Sequence, residues 1–290
     1  MVQSGDEVLM SATIQPKLAW HRSDIEQRLG FSGQPFTRVN GWLSGIIAIA
    51  LSIASYSIMF SFGSNRLSDM FLQRGVTPYF ILLFTFWALV ILLIKALKLS
   101  LQRKALSTET VPQDGHFVLT VHSVDQVLNS LYAVADDPKK FMLFNRILIA
   151  ISNLRNLGRV TDVGEILRSR ADHDESVVET SYGTVRHMVW AIPILGFIGT
   201  VEGLSTAIGG FGKVLSETTE PAALIESLKG VTGGLATAFE TTFVALVAAL
   251  IVQSTMSFLK KREEEFLDDC EEYCHQNLVN RLRLSPIEDA

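Results

Sequence analysis

Ala191-Ile192-Pro193-Ile194-Leu195-Gly196-Phe197-Ile198-Gly199-Thr200-Val201-Glu202-Gly203-Leu204 is apolar apart from one hydroxyl and one carboxyl. It lies inside a longer apolar block, 188–211. A second block, 231–258, contains Gly234-Leu235-Ala236-Thr237-Ala238-Phe239-Glu240-Thr241-Thr242-Phe243-Val244-Ala245-Leu246. Each block approaches or exceeds the ~20 residues an α-helix needs to cross a hydrocarbon core. Both are rich in Gly, Ala, Ser and Thr, and such small residues let helix backbones approach closely in lipid. These two blocks are therefore read as helices packed inside a bundle.

Working outward, two more apolar blocks cover 41–62 and 79–97. The second of them is bulky, with Phe80, Ile81, Leu82, Leu83, Phe84, Phe86, Trp87 and Leu89, as a lipid-facing helix is. The fold class expected is all-α: a polytopic membrane protein with four transmembrane helices and a helical cytoplasmic domain. Five segments follow. They are an N-terminal cytoplasmic segment, 1–38; an outer pair of spans, 39–98; a cytoplasmic helical domain, 99–186; an inner pair of spans, 187–259; and a cytoplasmic helix and tail, 260–290. The chain is 48% hydrophobic with a formal net charge of -5, so no basic surface points to nucleic acid. Its opening residues show neither a basic nor an apolar signal region, so the first block is expected to act as an uncleaved anchor.

Lys and Arg set the orientation. Arg22, Arg28 and Arg38 precede the first block, and Lys95, Lys98, Arg103 and Lys104 follow the second. Arg186 precedes the third, and Lys260, Lys261 and Arg262 follow the fourth. The other side holds only Arg66 and Arg74 in one short loop, and Lys213 and Lys229 in the other. Both termini and the middle segment are thus expected in the cytoplasm of a bacterium, with the spans in its inner membrane. The stretch 24–36 reads as amphipathic, either an interfacial helix on the membrane or an ordinary solvated one. In the middle segment Phe141, Leu143, Phe144, Ile147, Leu148, Ile151, Leu154 and Leu157 recur at helical spacing, with Asp136-Asp137-Pro138 as its start signal. A further helix is expected over 160–170, and 175–186 is expected to run straight into the third block. The acidic run Glu263, Glu264, Glu265, Asp268, Asp269, Glu271 and Glu272 reads as a solvated helix face. Cys270 and Cys274 read as reduced thiols of a cytosolic tail, with no metal or cofactor set around them.

Enzyme signatures are missing. Gly209-Gly210-Phe211-Gly212-Lys213-Val214 resembles a phosphate loop only in its Gly-Lys pair, and no hydrolase or zinc motif is present. Nothing supports a catalytic residue. What remains is polar side chains inside the inner blocks: Thr200, Glu202, Ser205 and Thr206 in one, Thr237, Glu240, Thr241 and Thr242 in the other. Ionisable groups inside a membrane helix are costly and mark ion pathways by default. At ~1.5 Å per residue, Thr200 lies roughly 20 Å from Lys213, and Thr242 roughly as far from Lys229. The helices run antiparallel, so Thr200 and Thr242 share a level, and Glu202 and Glu240 share another slightly further out. Two residues along a helix turn a side chain by about 200°. If the threonines line a lumen, Glu202 and Glu240 face neighbouring helices. The competing use of a membrane threonine is a bond back to its own helix, which explains a single hydroxyl better than a level-matched pair.

The two stretches quoted above resemble the pore-lining helices of the MotA/TolQ/ExbB proton-channel family. That resemblance implies a pentamer of this subunit around a dimer of a single-span MotB/TolR/ExbD-like partner, whose transmembrane aspartate carries the proton. It implies that Thr200 and Thr242, with Thr241 beside them, border the ion path. Pro193 matches the family's proline at the start of the third span and is a candidate hinge. Thr237 stands at the family's usual acidic position, which leaves Glu202 and Glu240 as candidates for pore tuning or helix contacts. The fourth span lacks the proline of flagellar stators, so the resemblance implies a non-flagellar member. Two function classes remain side by side: a conducting stator-type subunit, and a non-conducting membrane scaffold or receptor.

Overall fold

The computed structural model describes residues 18–61, 71, 75–108, 110–111, 119, 123–157, 160–217 and 220–282, without the side chains of 155–157, 160–162 and 237. Arg66 and Arg74 lie outside the described residues, and so do the side chains of Thr161, Asp162 and Thr237.

The described residues form helices α1 (Trp20–Ser23), α2 (Ile25–Arg28), α3 (Gly41–Ser61), α4 (Thr77–Leu106), α5 (Val124–Val134), α6 (Met142–Leu157), α7 (Val160–Ser181), α8 (Gly183–Glu217) and α9 (Pro221–Asn277). Four helices are long and apolar enough to cross a membrane. They are α3, α4, the helix carrying α8 and the helix carrying α9. The chain is an all-α membrane protein, as its four apolar blocks lead one to expect.

The helices differ from the sequence reading in three places. The stretch 24–36 forms no single amphipathic helix: α2 is one turn, followed by a bend in which Phe36 has φ 60°. The helix begun at Val160 does not stop near residue 170 but runs to Ser181. A single turn residue, Tyr182, separates it from α8, and the two run on as one long helix over Val163–Glu217. The expected loop 212–230 is mostly helix, since α8 continues to Glu217 and α9 restarts at Pro221. A first-turn proline suits that restart, because its missing N–H is one the helix end cannot use.

The chain divides into two compact units. One comprises Met1–Asp24, Leu101–Ala171 and Asp269–Ala290. Its core gathers Trp20, Leu131, Phe141, Phe144, Ile147 and Ile151, all buried. The Trp20 and Phe141 rings meet edge to face at 5.2 Å. Asp136 accepts from the backbone N–H of Trp20 at 2.7 Å and of His21 at 3.0 Å, which satisfies the start of α1. Asp137 instead caps the short turn Pro138–Lys140, accepting from Lys139 N at 3.2 Å. Cys270 and Cys274 are both buried here.

The second unit comprises Ile25–Ser100 and Asp172–Asp268, and it contains the apolar stretches of all four spans. In it α4 packs on α3, with Trp87 Nε1 donating to Ser44 Oγ at 3.1 Å and Tyr56 stacked on Tyr79 at 4.5 Å. Elsewhere α4 meets α8 at its Thr77 end and α9 at its Lys95 end.

Candidate functional site

Glycine sets how closely α8 and α9 approach. A Cβ added at Gly196 would stand 2.5 Å from the Ala245 Cβ and 3.3 Å from the Thr242 Cα, so only hydrogen fits there. One turn further on, a Cβ at Gly199 would meet the Thr241 methyl at 2.7 Å and the Thr77 hydroxyl at 3.3 Å. This contact brings the hydroxyls of Thr200 and Thr242 into a direct hydrogen bond. Both also reach the Gly196 carbonyl, Thr200 at 3.1 Å and Thr242 at 3.0 Å. Thr200 lies 3.4 Å from the Ala238 carbonyl as well.

Each hydroxyl has one proton to donate and two lone pairs. In the pair, one hydroxyl donates to the other and the second donates to a carbonyl. Reversing both donors gives an arrangement with the same number of hydrogen bonds. Such a pair can pass a proton by rotating hydroxyls, and it can present an unused lone pair to a cation or a water. Both threonines are half-buried in the subunit.

The other candidate residues fall elsewhere. Thr241 is buried against Gly199 rather than beside the Thr200 hydroxyl. Glu202 turns away from the pair, as a two-residue spacing requires, and accepts from the Thr77 hydroxyl of α4 at 3.2 Å. Glu240 is partly exposed. Pro193 lies within α8, which runs unbroken past it, so the missing N–H leaves one carbonyl of the preceding turn without its helical donor.

A denser polar cluster joins α4 to α9 and to the end of α7 at the other end of the span. Lys95 of α4 pairs with Glu263 of α9 at 3.2 Å, and each side chain is 1% exposed. Lys95 Nζ also donates to Ser181 Oγ at 2.8 Å and lies 4.3 Å over the Tyr182 ring. The Tyr182 hydroxyl donates to Glu263 at 2.7 Å, and the Thr37 hydroxyl donates to the same carboxylate. Nearby, Lys98 pairs with buried Glu26 at 2.6 Å and donates to the carbonyls of Arg38 at 2.7 Å and Gln34 at 3.2 Å. Glu26 in turn accepts from the backbone N–H groups of Gln34 and Asn40. On the surface, Glu179 accepts from Lys260 and Arg186, and those two cations hold its carboxyl below the usual range.

Sequence reasoning missed this cluster. Glu263 was placed on a solvated face; it is the buried member of the acidic run, whose other members are exposed. The available signal was an in-line one: Lys95 stands within an apolar block, where a charge needs a partner.

Residues 143–272 match the model of the MotA/TolQ/ExbB proton channel family. Over this stretch the chain is similar to that family. The matched segment takes in nearly all of α6, then α7, α8 and α9 as far as residue 272, and with them the Thr200–Thr242 pair and Glu263. No curated protein and no solved structure matches the chain.

Proposed function

We propose that the chain is the pore-forming, stator-type subunit of an ion-driven motor, which couples ion flow across a bacterial inner membrane to work on a partner. The observation that carries this reading is the Thr200–Thr242 hydroxyl pair, set between two small-residue helices of a MotA/TolQ/ExbB segment. The family works with single-span subunits of the ExbD/TolR/MotB type. In this reading five copies of the chain surround a dimer of such a subunit, and the pair faces the partner's transmembrane aspartate. A hydroxyl can hold that carboxylate, or a relay water, through release and reloading. H⁺ is the coupling ion, and the system driven is not the flagellum. The Lys- and Arg-rich ends support a reading in which both termini and the 99–186 segment are cytoplasmic. Glu202, on Thr77, acts behind the path rather than in it.

One observation favours a second reading. Both hydroxyls also bond to the Gly196 carbonyl, as they would if they only fastened two helices in a non-conducting scaffold. Ion flux separates the two. Proteoliposomes holding the chain and its single-span partner should take up protons under an imposed potential. The Thr200→Val/Thr242→Val variant should assemble and bind partner as the parent does, with flux reduced at least tenfold. Parental flux from that variant supports the scaffold use of the threonines and defeats the conducting one.

A further inference from the structure

A cavity of about 360 Å³ lies in the first compact unit, walled by α6, α7 and α9. Gly164, Leu167 and Arg168 of α7 line it, and so do Glu271, Cys274 and His275 of α9. Each set follows the i, i+3, i+4 spacing that puts side chains on one helical face. Arg146 reaches the cavity from α6, and Val279 closes it just past the end of α9. Three nitrogen donors, those of Arg146, Arg168 and His275, thus converge on one space from three helices.

The charges of the wall favour an anion. Both guanidinium groups stay protonated, whereas the acid of the wall, Glu271, is exposed to water. Arg146 is only 2% exposed, so its charge acts where water screens it least. A guanidinium offers paired N–H donors in a fork that matches a phosphate, and an imidazole adds at least one more. Among the described residues no aromatic ring lines the cavity, so nothing there stacks on a nucleobase. Gly164 gives a second, independent sign. It stands inside α7, where glycine weakens a helix relative to alanine. A Cβ there would meet no described atom within 4 Å, so close packing does not require the glycine. Its bare face leaves the cavity open.

We infer that this cavity binds a small phosphorylated metabolite of the sugar-phosphate class. The phosphate takes the N–H groups of Arg146, Arg168 and His275, and a ligand hydroxyl donates to the Glu271 carboxylate. Leu167 and Val279 pack against the carbon skeleton. The volume falls in the range of roughly 300–1,000 Å³ usual for small-molecule sites. Walls on three helices admit a molecule of that size rather than a folded surface. The inference is independent of the conducting reading, since the cavity is complete within its own unit.

Titration calorimetry on the full chain in detergent tests this with three probes: glucose 6-phosphate, inorganic phosphate and glucose. Glucose 6-phosphate should bind saturably at one site per chain, inorganic phosphate more weakly, and glucose not at all. Arg168→Ala should weaken glucose 6-phosphate at least tenfold, as loss of a charge-assisted hydrogen bond does. Arg168 is exposed, so its removal leaves the core intact. Gly164→Phe keeps every charge and fills the space with a ring, and it should weaken binding at least as much. Lys261→Ala removes an exposed cation that does not line the cavity, and it should change nothing. Failure of both phosphates to bind overturns the site and leaves Arg146 a structural charge. Equal losses from Lys261→Ala and Arg168→Ala overturn it in favour of diffuse surface attraction. Parental affinity in the Gly164→Phe protein overturns it by putting the ligand elsewhere. Inorganic phosphate binding as tightly as glucose 6-phosphate overturns the sugar-phosphate class.

Discussion

The Lys95 end and the Thr77 end of the α4–α8–α9 bundle both place polar groups between helices, by opposite means. The Lys95 end uses buried ion pairs whose every charge is met from several sides, with Glu263 held by an ammonium and two hydroxyls. The Thr77 end uses single hydroxyl contacts set between glycines. Charges buried in this way are costly to separate. A hydroxyl pair can exchange its donors with little loss. The first end suits an anchor that fixes three helices and the turn at Tyr182. The second suits a place where bonds must be exchanged as an ion passes.

The contrast breaks most visibly at Glu263. Glu263→Ala leaves Lys95 charged and buried without its counter-ion, and should cost about 3–5 kcal/mol. Unfolding of the purified protein in detergent measures this. Lys95→Met/Glu263→Met should recover most of the loss, because two apolar side chains leave no orphaned charge. Equal instability of the single and double variants would show that packing, not charge, holds that end.

The opposite end should respond to volume instead. Gly196→Val drives a side chain into Ala245 and towards the Thr242 backbone, an overpacking worth about 1–3 kcal/mol. It should also part α8 from α9 at the threonine level. Cross-linking yield between cysteines placed on the two helices reports the separation. An unchanged yield would mean that the glycine contact does not set the hydroxyl distance.

The smallest effect belongs to the exposed Glu179 pairs with Lys260 and Arg186. Glu179 titrates below its ordinary value in the folded protein. Its contribution is therefore present above the unfolded carboxyl's pKa and fades as pH falls through the folded one. Solvent screening keeps it under about 1 kcal/mol. Glu179→Gln should remove that acid-side slope and leave neutral-pH stability nearly unchanged, as thermal unfolding between pH 7 and pH 3 would record.

Much of this was legible in the sequence because it rests on local rules. Apolar length gave four spans, and helical spacing gave the buried face Phe141, Phe144, Ile147 and Ile151 of α6. The antiparallel rise put Thr200 and Thr242 on one level, where their hydroxyls meet. The Lys95–Glu263 pair was not legible. Its members stand 168 residues apart, and within seven acids the spacing does not say which one faces inward.

The central claim is that hydroxyls, not side-chain volume, make the Thr200–Thr242 level conduct. Serine keeps the hydroxyl and loses a methyl; valine keeps the shape and loses the hydroxyl. Proton flux through the Thr242→Ser and Thr242→Val proteins, each reconstituted with the single-span partner, tests the claim directly. The account predicts serine within about threefold of the parent and valine at least tenfold below it. Valine conducting as well as serine would contradict it.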